Sequence, residues 1–431
     1  MSWIVGEPPN AALKRVPPDG MPARVPIPVS AAAPGKEQAM TLDALPGDLY
    51  HMQELLDERE KEIVGRVREF LESKIAPIAN DCWARAEFPF DLIPQYGELG
   101  IAGLAHDECP GEKPSSLLTG FLAMDMARVD PSMATFFGVH TGLAMGSIGR
   151  CGSPEQRERW LPAMGRMEKI GAFALTEPEG GSDVALGLRT TARRDGDHWV
   201  LNGAKRWIGN ATFADHTVVW ARDEADDQVK GFVVAKGTPG FTATRIENKI
   251  ALRTVQNADI TLADCRVPEA DRLAGANTFK DTAAILRRTR SGVAWQAVGV
   301  MLAAYEIARD YAVEREQFGR PIARFQLVQD LLVRMLGNAT ASLGMVVRLA
   351  QLQDDGLYRD EHSALAKAYC TTRMREVVGW ARELMAGNGI VLDYDIGRFV
   401  ADAEALYSYE GTREINTLIV GRAATGHGAF V

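Results

Sequence analysis

A carboxylate near the C-terminus stands in a setting that suits proton transfer. Glu410 follows Tyr409 and precedes Gly411 and the hydroxyl residue Thr412. Because Gly411 has no Cβ, a ligand can approach the backbone closely beside Glu410, which makes Glu410 our candidate general base. The alternative is structural, since Glu410 and Glu414 lie four residues apart and would also line the solvated face of one helix.

Two further stretches favour the chemical interpretation of Glu410. The loop Thr176–Asp183 has the sequence Thr-Glu-Pro-Glu-Gly-Gly-Ser-Asp, and Trp207–Asn210 has the sequence Trp-Ile-Gly-Asn. Successive backbone N–H groups in a Gly-rich loop can hold an anion. Taken alone, such a loop is an ordinary turn, and a single strand tryptophan most often belongs to the core.

Composition and charge exclude several classes of function. The chain has 431 residues, of which 46% are hydrophobic and 24% charged, as in large globular proteins of several domains. Its formal net charge of −9 argues against nucleic acid or an anionic membrane as the main partner, because both need clustered Lys and Arg. No apolar run reaches the length of a membrane span, so we expect no membrane-spanning segment.

The cysteines and histidines predict no metal. The five cysteines are scattered and form no Cys-x-x-Cys pair, which indicates buried thiols in a reducing cytosol. No two of the seven histidines have a metal-ligand spacing.

The elements that must position these residues begin with an extension and a helical part. Residues 1–46 are rich in Pro, Ala and Gly with little periodicity, and predict a flexible N-terminal extension without a secretory signal. Residues 47–168 carry apolar residues at three and four spacing, which predicts an N-terminal α-helical domain. His140 lies in a run of small and aromatic residues there, and we interpret it as a core histidine.

Residues 169–276 change to the two-residue period of strands. Asp195–Asp197 predicts one hairpin turn, and Asn202-Gly203 predicts a second and stronger one. Because no helical pattern separates the strands, we expect a middle domain that forms a central antiparallel β-barrel or sandwich.

Residues 277–431 return to a helical pattern. Four long amphipathic segments predict a C-terminal four-helix bundle, at about 282–316, 325–355, 361–386 and 395–423. The fold class is therefore α+β, with helices, sheet and helices in that order. No G-x-G-x-x-G opens a helix after a strand, which disfavours a Rossmann domain.

Five stretches of the sequence form an ordered set: Thr176–Asp183, Trp207–Asn210, Arg315–Gly319, Ala386–Ile390 and Tyr409–Thr412. They occur in the order and spacing of the acyl-CoA dehydrogenase family, which the chain resembles over about residues 50–431. Within that family it is most similar to the glutaryl-CoA dehydrogenase branch and to the plant peroxisomal short-chain acyl-CoA oxidases. Residues 206–215 and 248–253 carry this closer resemblance.

The resemblance implies an FAD enzyme, usually a homotetramer, that converts an acyl-CoA thioester to the trans-2-enoyl-CoA. Glu410 matches the base that removes the α-proton, while the flavin accepts the β-hydrogen with its electron pair. The thioester oxygen would accept hydrogen bonds from the backbone N–H of Glu410 and from the flavin ribityl chain. Burial should raise the pKa of Glu410 toward the working pH, as an efficient base requires.

The residues that match flavin contacts of the family fall into three groups. The first group would meet the flavin ring and pyrophosphate: Phe173, Leu175, Thr176, Gly181, Ser182, Trp207, Ile208, Gly209, Thr412 and Glu414. The second group would reach the FAD of a neighbouring subunit from the loop after the first long helix: Arg315, Gln317, Phe318 and Gln326. The third, Glu383 and Gly387, would do so from a later segment. The site would then be complete only in the oligomer.

One position departs from the family pattern. Gly209 stands where most members carry Thr or Ser beside the hydrogen-accepting nitrogen of the flavin. The lost hydroxyl puts the flavin potential and its reactivity with oxygen in doubt.

The substrate side rests on five positions. Arg290 and Ser182 match residues at the CoA moiety, beside Gly411, although Arg287 and Arg288 are alternatives to Arg290 and all three arginines could be solvated surface residues. Ala134 stands where glutaryl-CoA enzymes carry an Arg for the distal carboxylate, so a glutaryl substrate is disfavoured. The ring of Phe136 would shorten the tunnel, which predicts a short monoacyl chain, branched or unbranched.

Three alternatives concern reoxidation and role. The enzyme could pass electrons to an electron-transferring flavoprotein as a dehydrogenase, or to O2 as an oxidase. The chain has no C-terminal Ser-Lys-Leu signal and uses Arg far more than Lys, which favours a bacterial cytoplasmic dehydrogenase. A non-catalytic scaffold that binds acyl-CoA or flavin is disfavoured by Glu410 and the flavin set.

Overall fold

The computed structural model describes residues 42–429, and the predicted order of helices, sheet and helices is confirmed. Of the predicted extension, residues 1–46, the part from residue 1 to residue 41 lies outside the described residues. Leu45 is buried against the helical core, so the folded part begins earlier than residue 47. Among the described helices, none combines the length and apolar character that a bilayer crossing requires.

The N-terminal helices begin at strong local signals. Asp57 caps the first helix and forms a capping box with Glu60, and Ser153 does the same with Gln156 ahead of the seventh. A π-helical segment, Val139–Met145, joins the fifth helix to the sixth, and such segments are frequent at functional sites. The helices are α1 Glu58–Phe70, α2 Ala79–Arg85, α3 Ile93–Glu98, α4 Ser116–Val129, α5 Pro131–Gly138, α6 Gly146–Cys151 and α7 Pro154–Gly165.

The middle part is a curled seven-stranded sheet with a short helix, α8 Val184–Gly187. The strand order is β1-β4-β2-β3-β7-β6, and β5 pairs with β4. The strands are β1 Gly171–Ala174, β2 Thr191–Asp195, β3 His198–Gly209, β4 His216–Asp223, β5 Val229–Ala235, β6 Phe241–Arg245 and β7 Asn257–Pro268. Most pairs are antiparallel as expected, but β4 runs parallel to both β1 and β2, so the sheet is mixed.

The predicted hairpin turn at Asn202-Gly203 is wrong. Strand β3 continues through both residues, and the register with β7 shifts between Leu201 and Gly203. Gly203 has φ of 147°, so the glycine serves a β-bulge instead of a turn. Pairing of nine β3 residues with β7 outweighs the local turn preference.

The C-terminal part contains the long helices. They are α9 Phe279–Glu314, α10 Gln326–Asp354, α11 Asp360–Leu384, α12 Ile396–Ser408 and α13 Arg413–Thr425, and the two-residue strands β8 Glu316–Gln317 and β9 Arg320–Pro321 lie between α9 and α10. The segment predicted as one helix at 395–423 is therefore two helices, and the break between them contains Glu410. One core cluster joins α9–α12 to α1 and α3–α5, and Tyr409 in the break packs against it.

Candidate functional site

The backbone around Glu410 is held out of helical geometry. Glu410 has φ of 55° and Gly411 has φ of 85°, both in the left-handed region. Thr412 then starts α13, because its Oγ1 accepts a hydrogen bond from the Ile415 N–H at 3.3 Å. A non-glycine residue in this region is strained and is often found at functional sites, which excludes the solvated helix face as the setting of Glu410.

The Glu410 carboxylate is half-buried, and its surroundings have opposite effects on its pKa. Burial raises the pKa of Glu410, while the hydrogen bond from Thr289 and the charges of Arg290 and Lys367 act to lower it. The Thr289 Oγ1 donates to Glu410 Oε2 at 2.6 Å. The net result is a raised pKa, which suits a general base working near neutral pH.

A buried lysine holds the loop that carries Glu410. The Lys367 Nζ on α11 donates to the carbonyl oxygens of Tyr407 at 3.0 Å and Gly411 at 2.6 Å. Its side chain is fully buried, and this burial lowers its pKa to about 8. The Asn416 Nδ2 also donates to the Gly411 carbonyl, at 2.9 Å. The sequence analysis missed Lys367, because one lysine in an amphipathic helix resembles any surface lysine.

A cavity of about 560 Å³ opens beside Glu410. It lies between α4, the continuous helix from α5 to α6, and α9. Its walls are mainly apolar and small residues, including Ala123, Met126, Ala134, Phe137, Gly138, Gly142, Gly292, Val293 and Trp295. Cavities of this size hold small-molecule ligands in many enzymes.

Of the two residues predicted to shape the acyl pocket, the structure places one on the cavity wall. Ala134 lines the cavity, but Phe136 does not. The Phe136 ring is fully buried against Phe88 and Phe213. Successive helical residues point about 100° apart, and it is the next residue, Phe137, that faces the cavity.

Part of the cavity wall is a hydrogen-bonded pair. The Tyr409 hydroxyl donates to Gln296 Oε1 at 2.7 Å, and Gln296 Nε2 lies 3.4 Å from the Ala134 carbonyl oxygen. Both side chains are thus satisfied by the protein and leave no buried polar atom for a distal substrate group.

The three candidate arginines for CoA have different environments. Arg287 is paired with Asp360, so it is not available to an anion. Arg288 is exposed and lines the cavity. The Nε of Arg290 is buried near Gly411 and has no hydrogen-bond partner among residues 42–429. An unsatisfied buried donor beside Gly411, the residue that follows Glu410, supports Arg290 as the substrate contact.

The loop Thr176–Asp183 is anchored by a buried ion pair. Lys205 Nζ lies 2.9 Å from Glu177 Oε1, and both side chains are buried. Glu177 also accepts hydrogen bonds from the N–H groups of Arg189 and Thr190. The sequence analysis did not single out this pair, which fixes the position of the loop.

The same loop leaves donors free at its tip. Gly181 and Ser182 are exposed, and within residues 42–429 their N–H groups donate to no other backbone or side-chain acceptor. By contrast, the side chains of Phe173 and Leu175 are buried in the sheet core, so only their backbone atoms could meet a ligand. Thr176 is half-buried between the two regions. The free N–H groups suit a phosphate-bearing cofactor.

The end of β3 offers a flat aromatic surface near the cavity. The Trp207 side chain is 52% exposed, and the Arg206 guanidinium lies 4.9 Å from its ring centroid. Ile208 is buried, and a Cβ at Gly209 would lie 3.2 Å from Val139, a residue of the cavity wall. An exposed indole beside an enzyme cavity is suited to stacking on a planar ring.

The predicted contacts in the loop after α9 lie far from Glu410 within this chain. Thr289 contacts Glu410, whereas the loop with Phe318 follows Glu314, which lies 25 residues further along α9. At about 1.5 Å per residue this is about 38 Å. Phe318 is 92% exposed, and the other residues of these two groups that are exposed are Arg315, Gln317, Gln326, Glu383 and Gly387. Glu414, on α13, is exposed as well. Among residues 42–429, no group of three or more His, Cys, Asp or Glu is placed to hold a metal.

Three family models match the chain. The acyl-CoA dehydrogenase N-terminal domain matches residues 57–168, the middle domain residues 172–265 and the C-terminal domain residues 279–425. The chain is 34% identical over 365 residues to an acyl-CoA dehydrogenase of Bacillus subtilis (strain 168), covering 84% of this chain and 96% of that protein. It is 33% identical over 358 residues to the mitochondrial short-chain specific acyl-CoA dehydrogenase of Mus musculus, covering 82% and 87%.

Solved structures give the same result. A glutaryl-CoA dehydrogenase from Mycobacterium smegmatis, in complex with FADH2, matches with 33% identity and a TM-score of 0.86, covering 90% of this chain and 100% of that chain. A chain from a structure titled as the electron transferring flavoprotein of Acidaminococcus fermentans matches with 31% identity and a TM-score of 0.83, covering 86% and 99%.

Proposed function

The chain belongs to the acyl-CoA dehydrogenase family, whose members are FAD-dependent enzymes, and on this basis we propose that Glu410 is the base that removes the α-proton of an acyl-CoA thioester. The product is the trans-2-enoyl-CoA. The observation that carries this assignment is the half-buried carboxylate of Glu410 at the wall of the cavity. Its pKa is raised, and the backbone of Glu410 is strained.

The chain's own residues hold the base and the thioester. Thr289 orients the carboxylate through its hydrogen bond, and Lys367 fixes the Glu410–Gly411 backbone. Because Gly411 has no side chain, the thioester can lie against the backbone, where the Glu410 N–H can donate to its oxygen. Arg290 supplies a positive charge for the CoA moiety, with Ser182 and Arg288 as further contacts. Loss of the α-proton builds negative charge on the thioester oxygen, so these donors act most strongly as the reaction proceeds.

The residues present fit a flavin. The free N–H groups of Gly181 and Ser182 suit its pyrophosphate and the exposed Trp207 suits its ring. We assign Thr176, Gly209 and Thr412 as further contacts of the flavin. When bound there, FAD supplies an acceptor for the β-hydrogen and its electron pair, which no side chain can provide.

Two kinds of partner follow from the same geometry. The exposed Phe318 lies about 38 Å along α9 from the base, so we infer that its loop serves the FAD of a neighbouring subunit in a homotetramer. We further infer that electrons leave through an electron-transferring flavoprotein, which the match to a chain from such a structure supports. Five free, buried cysteines support the reducing cytoplasm of a bacterium as the location.

The test is an anaerobic titration of the FAD-loaded protein with an acyl-CoA, followed through the visible flavin band. Wild type should bleach, and Glu410→Gln should not, while still binding the acyl-CoA in calorimetry. Glu404→Gln is the matched control, because Glu404 is an exposed glutamate of α12 paired only with Arg375. Bleaching of Glu410→Gln at the wild-type rate would contradict the assignment of the base.

One observation favours a second candidate, an oxidase. Gly209 supplies no hydroxyl near the flavin ring, and Val139 fills the space where a side chain would begin. Admitting air after bleaching separates the two. Lasting reduction indicates a dehydrogenase, and rapid return of the yellow band with peroxide indicates an oxidase. A preparation that stays colourless after FAD addition would instead support the scaffold.

The length of the acyl chain is a separate question. The relatives whose names specify short chains include the mouse protein and one from Clostridium acetobutylicum at 31% identity. The prediction of a short chain from the sequence, however, rested on Phe136, which does not line the cavity. The cavity itself is therefore the better guide.

A further inference from the structure

The cavity beside Glu410 has room for more than a short acyl group. Its volume is about 560 Å³, and its lining extends to Arg288, so the acyl group shares this volume with the adjoining part of CoA. A chain carbon is about as large as a water molecule, whose share of liquid volume is about 30 Å³, so the three carbons of butyryl beyond the carbonyl would fill roughly 90 Å³. The seven corresponding carbons of octanoyl would fill roughly 210 Å³. Protein interiors leave few voids unfilled, so the longer chain fits the cavity better.

The space is open on both helices that face the acyl chain. A Cβ added at Gly292 on α9 would meet no atom within 4 Å. On the facing helix, a Cβ at Gly138 would approach only Gln296, at 3.6 Å, and one at Gly142 only Thr289, at 3.5 Å. These three glycines line the cavity together with Ala134, so no side chain larger than a methyl projects into it from any of the four positions.

The chemistry of the walls specifies an apolar occupant. Phe137, Val293, Trp295 and Met126 contribute apolar surface. The polar pair on the wall, Tyr409 and Gln296, is already hydrogen-bonded within the protein. Gln296 adjoins Ala134, which stands at the position of the glutaryl-specific arginine and offers no charge to an ω-carboxylate.

We propose that the substrate is an apolar acyl-CoA with an acyl chain longer than butyryl, and that Gly138, Gly142 and Gly292 determine this preference by leaving room for the chain. The proposal rests on the proposed function, since the cavity is the acyl site only if Glu410 is the base. The reaction is unchanged: the α-proton goes to Glu410, the β-hydrogen and its electron pair go to FAD, and a C=C bond forms.

The first measurement is binding without turnover. Octanoyl-CoA and butyryl-CoA are titrated calorimetrically into FAD-loaded Glu410→Gln protein. Each buried methylene adds roughly a fourfold gain in affinity, so octanoyl-CoA should bind at least tenfold tighter. The wild-type enzyme should show the same order in kcat/KM for flavin bleaching.

The second measurement fills the cavity. Gly292→Leu and Gly138→Leu should each lower octanoyl-CoA affinity at least tenfold more than butyryl-CoA affinity. Both variants should fold, because the new side chains enter open space and glycine is a poor helix former. Gly379→Leu on α11 is the control, since a Cβ there also meets no atom within 4 Å but Gly379 does not line the cavity. It should leave the octanoyl to butyryl ratio at the wild-type value.

The outcomes separate the two levels of the argument. If butyryl-CoA binds and reacts as well as octanoyl-CoA, or if the leucine variants change both affinities equally, the chain-length proposal is overturned while the base assignment stands. If neither thioester binds or bleaches the flavin, the proposed function itself fails.

Discussion

Replacing Thr289 by Val tests how the protein sets the basicity of Glu410. The Thr289 hydroxyl lies 2.6 Å from Glu410 Oε2 and 3.2 Å from the Leu286 carbonyl oxygen, so its single hydrogen has two acceptors. The shorter contact to a charged acceptor should be the stronger. Valine has the same shape without the hydroxyl, so the substitution removes the hydrogen bond and little else.

The sign and size of the effect follow from the ionised form. A hydrogen bond to a carboxylate stabilises its charged state, so its loss raises the pKa of Glu410 beyond the rise that burial already causes. A hydrogen bond to a charged group contributes about 1.5–3 kcal/mol net. At pH values where Glu410 is largely protonated, kcat/KM should therefore fall by about 10-fold to 100-fold, since about 1.4 kcal/mol corresponds to a factor of ten. At high pH the variant and wild type should converge, because Glu410 is ionised in both.

The assay is the pH dependence of kcat/KM for flavin bleaching in wild type, Thr289→Val and Thr289→Ser. The acid limb should move to higher pH in Thr289→Val and return toward wild type in Thr289→Ser, which retains the hydroxyl. An acid limb that does not move would refute this prediction and would indicate that the Thr289 hydroxyl donates its hydrogen bond to the Leu286 carbonyl oxygen. A loss of equal size at every pH would point to disturbed packing instead.

Two further substitutions test the framework around the site. Lys367→Met should leave the buried Tyr407 carbonyl without its donor and cost about 1–3 kcal/mol in urea unfolding. Burial lowers the pKa of Lys367 to about 8, so above that pH the unfolded chain binds more protons than the folded chain. The stability that this lysine contributes therefore rises with pH, and the stability deficit of the variant should grow from pH 7 to pH 9.5. A deficit that stays constant would contradict the lowered pKa. Gly203→Ala should cost about 1–3 kcal/mol in thermal unfolding, because φ is 147° and the new Cβ would lie 2.8 Å from Thr190 Cα. The control is Gly421→Ala on α13, where a Cβ meets no atom within 4 Å, and this substitution should not destabilise the protein.

Much of the fold could be predicted from the sequence, because its signals are local. The change from a three- and four-residue period to a two-residue period marks the sheet, and caps such as Asp57 with Glu60 mark helix starts. Glu410 became the candidate base on local signals as well, since its neighbours Tyr409, Gly411 and Thr412 and the stretches Thr176–Asp183 and Trp207–Asn210 are visible without any tertiary information.

The sequence by itself thus determined which elements form and which carboxylate stands apart, whereas tertiary structure decided what each side chain meets. Helical periodicity could not tell that Phe136 packs against Phe88 while Phe137 faces the cavity, since the two differ only by about 100° of rotation. Lys367 acquires its role because α11 brings it within 3.0 Å of two carbonyls some 40 residues later in the chain. Asn202-Gly203 has a turn sequence, but pairing with β7 makes it a bulge. Contacts between residues distant in the chain override local preference, and no local pattern records them.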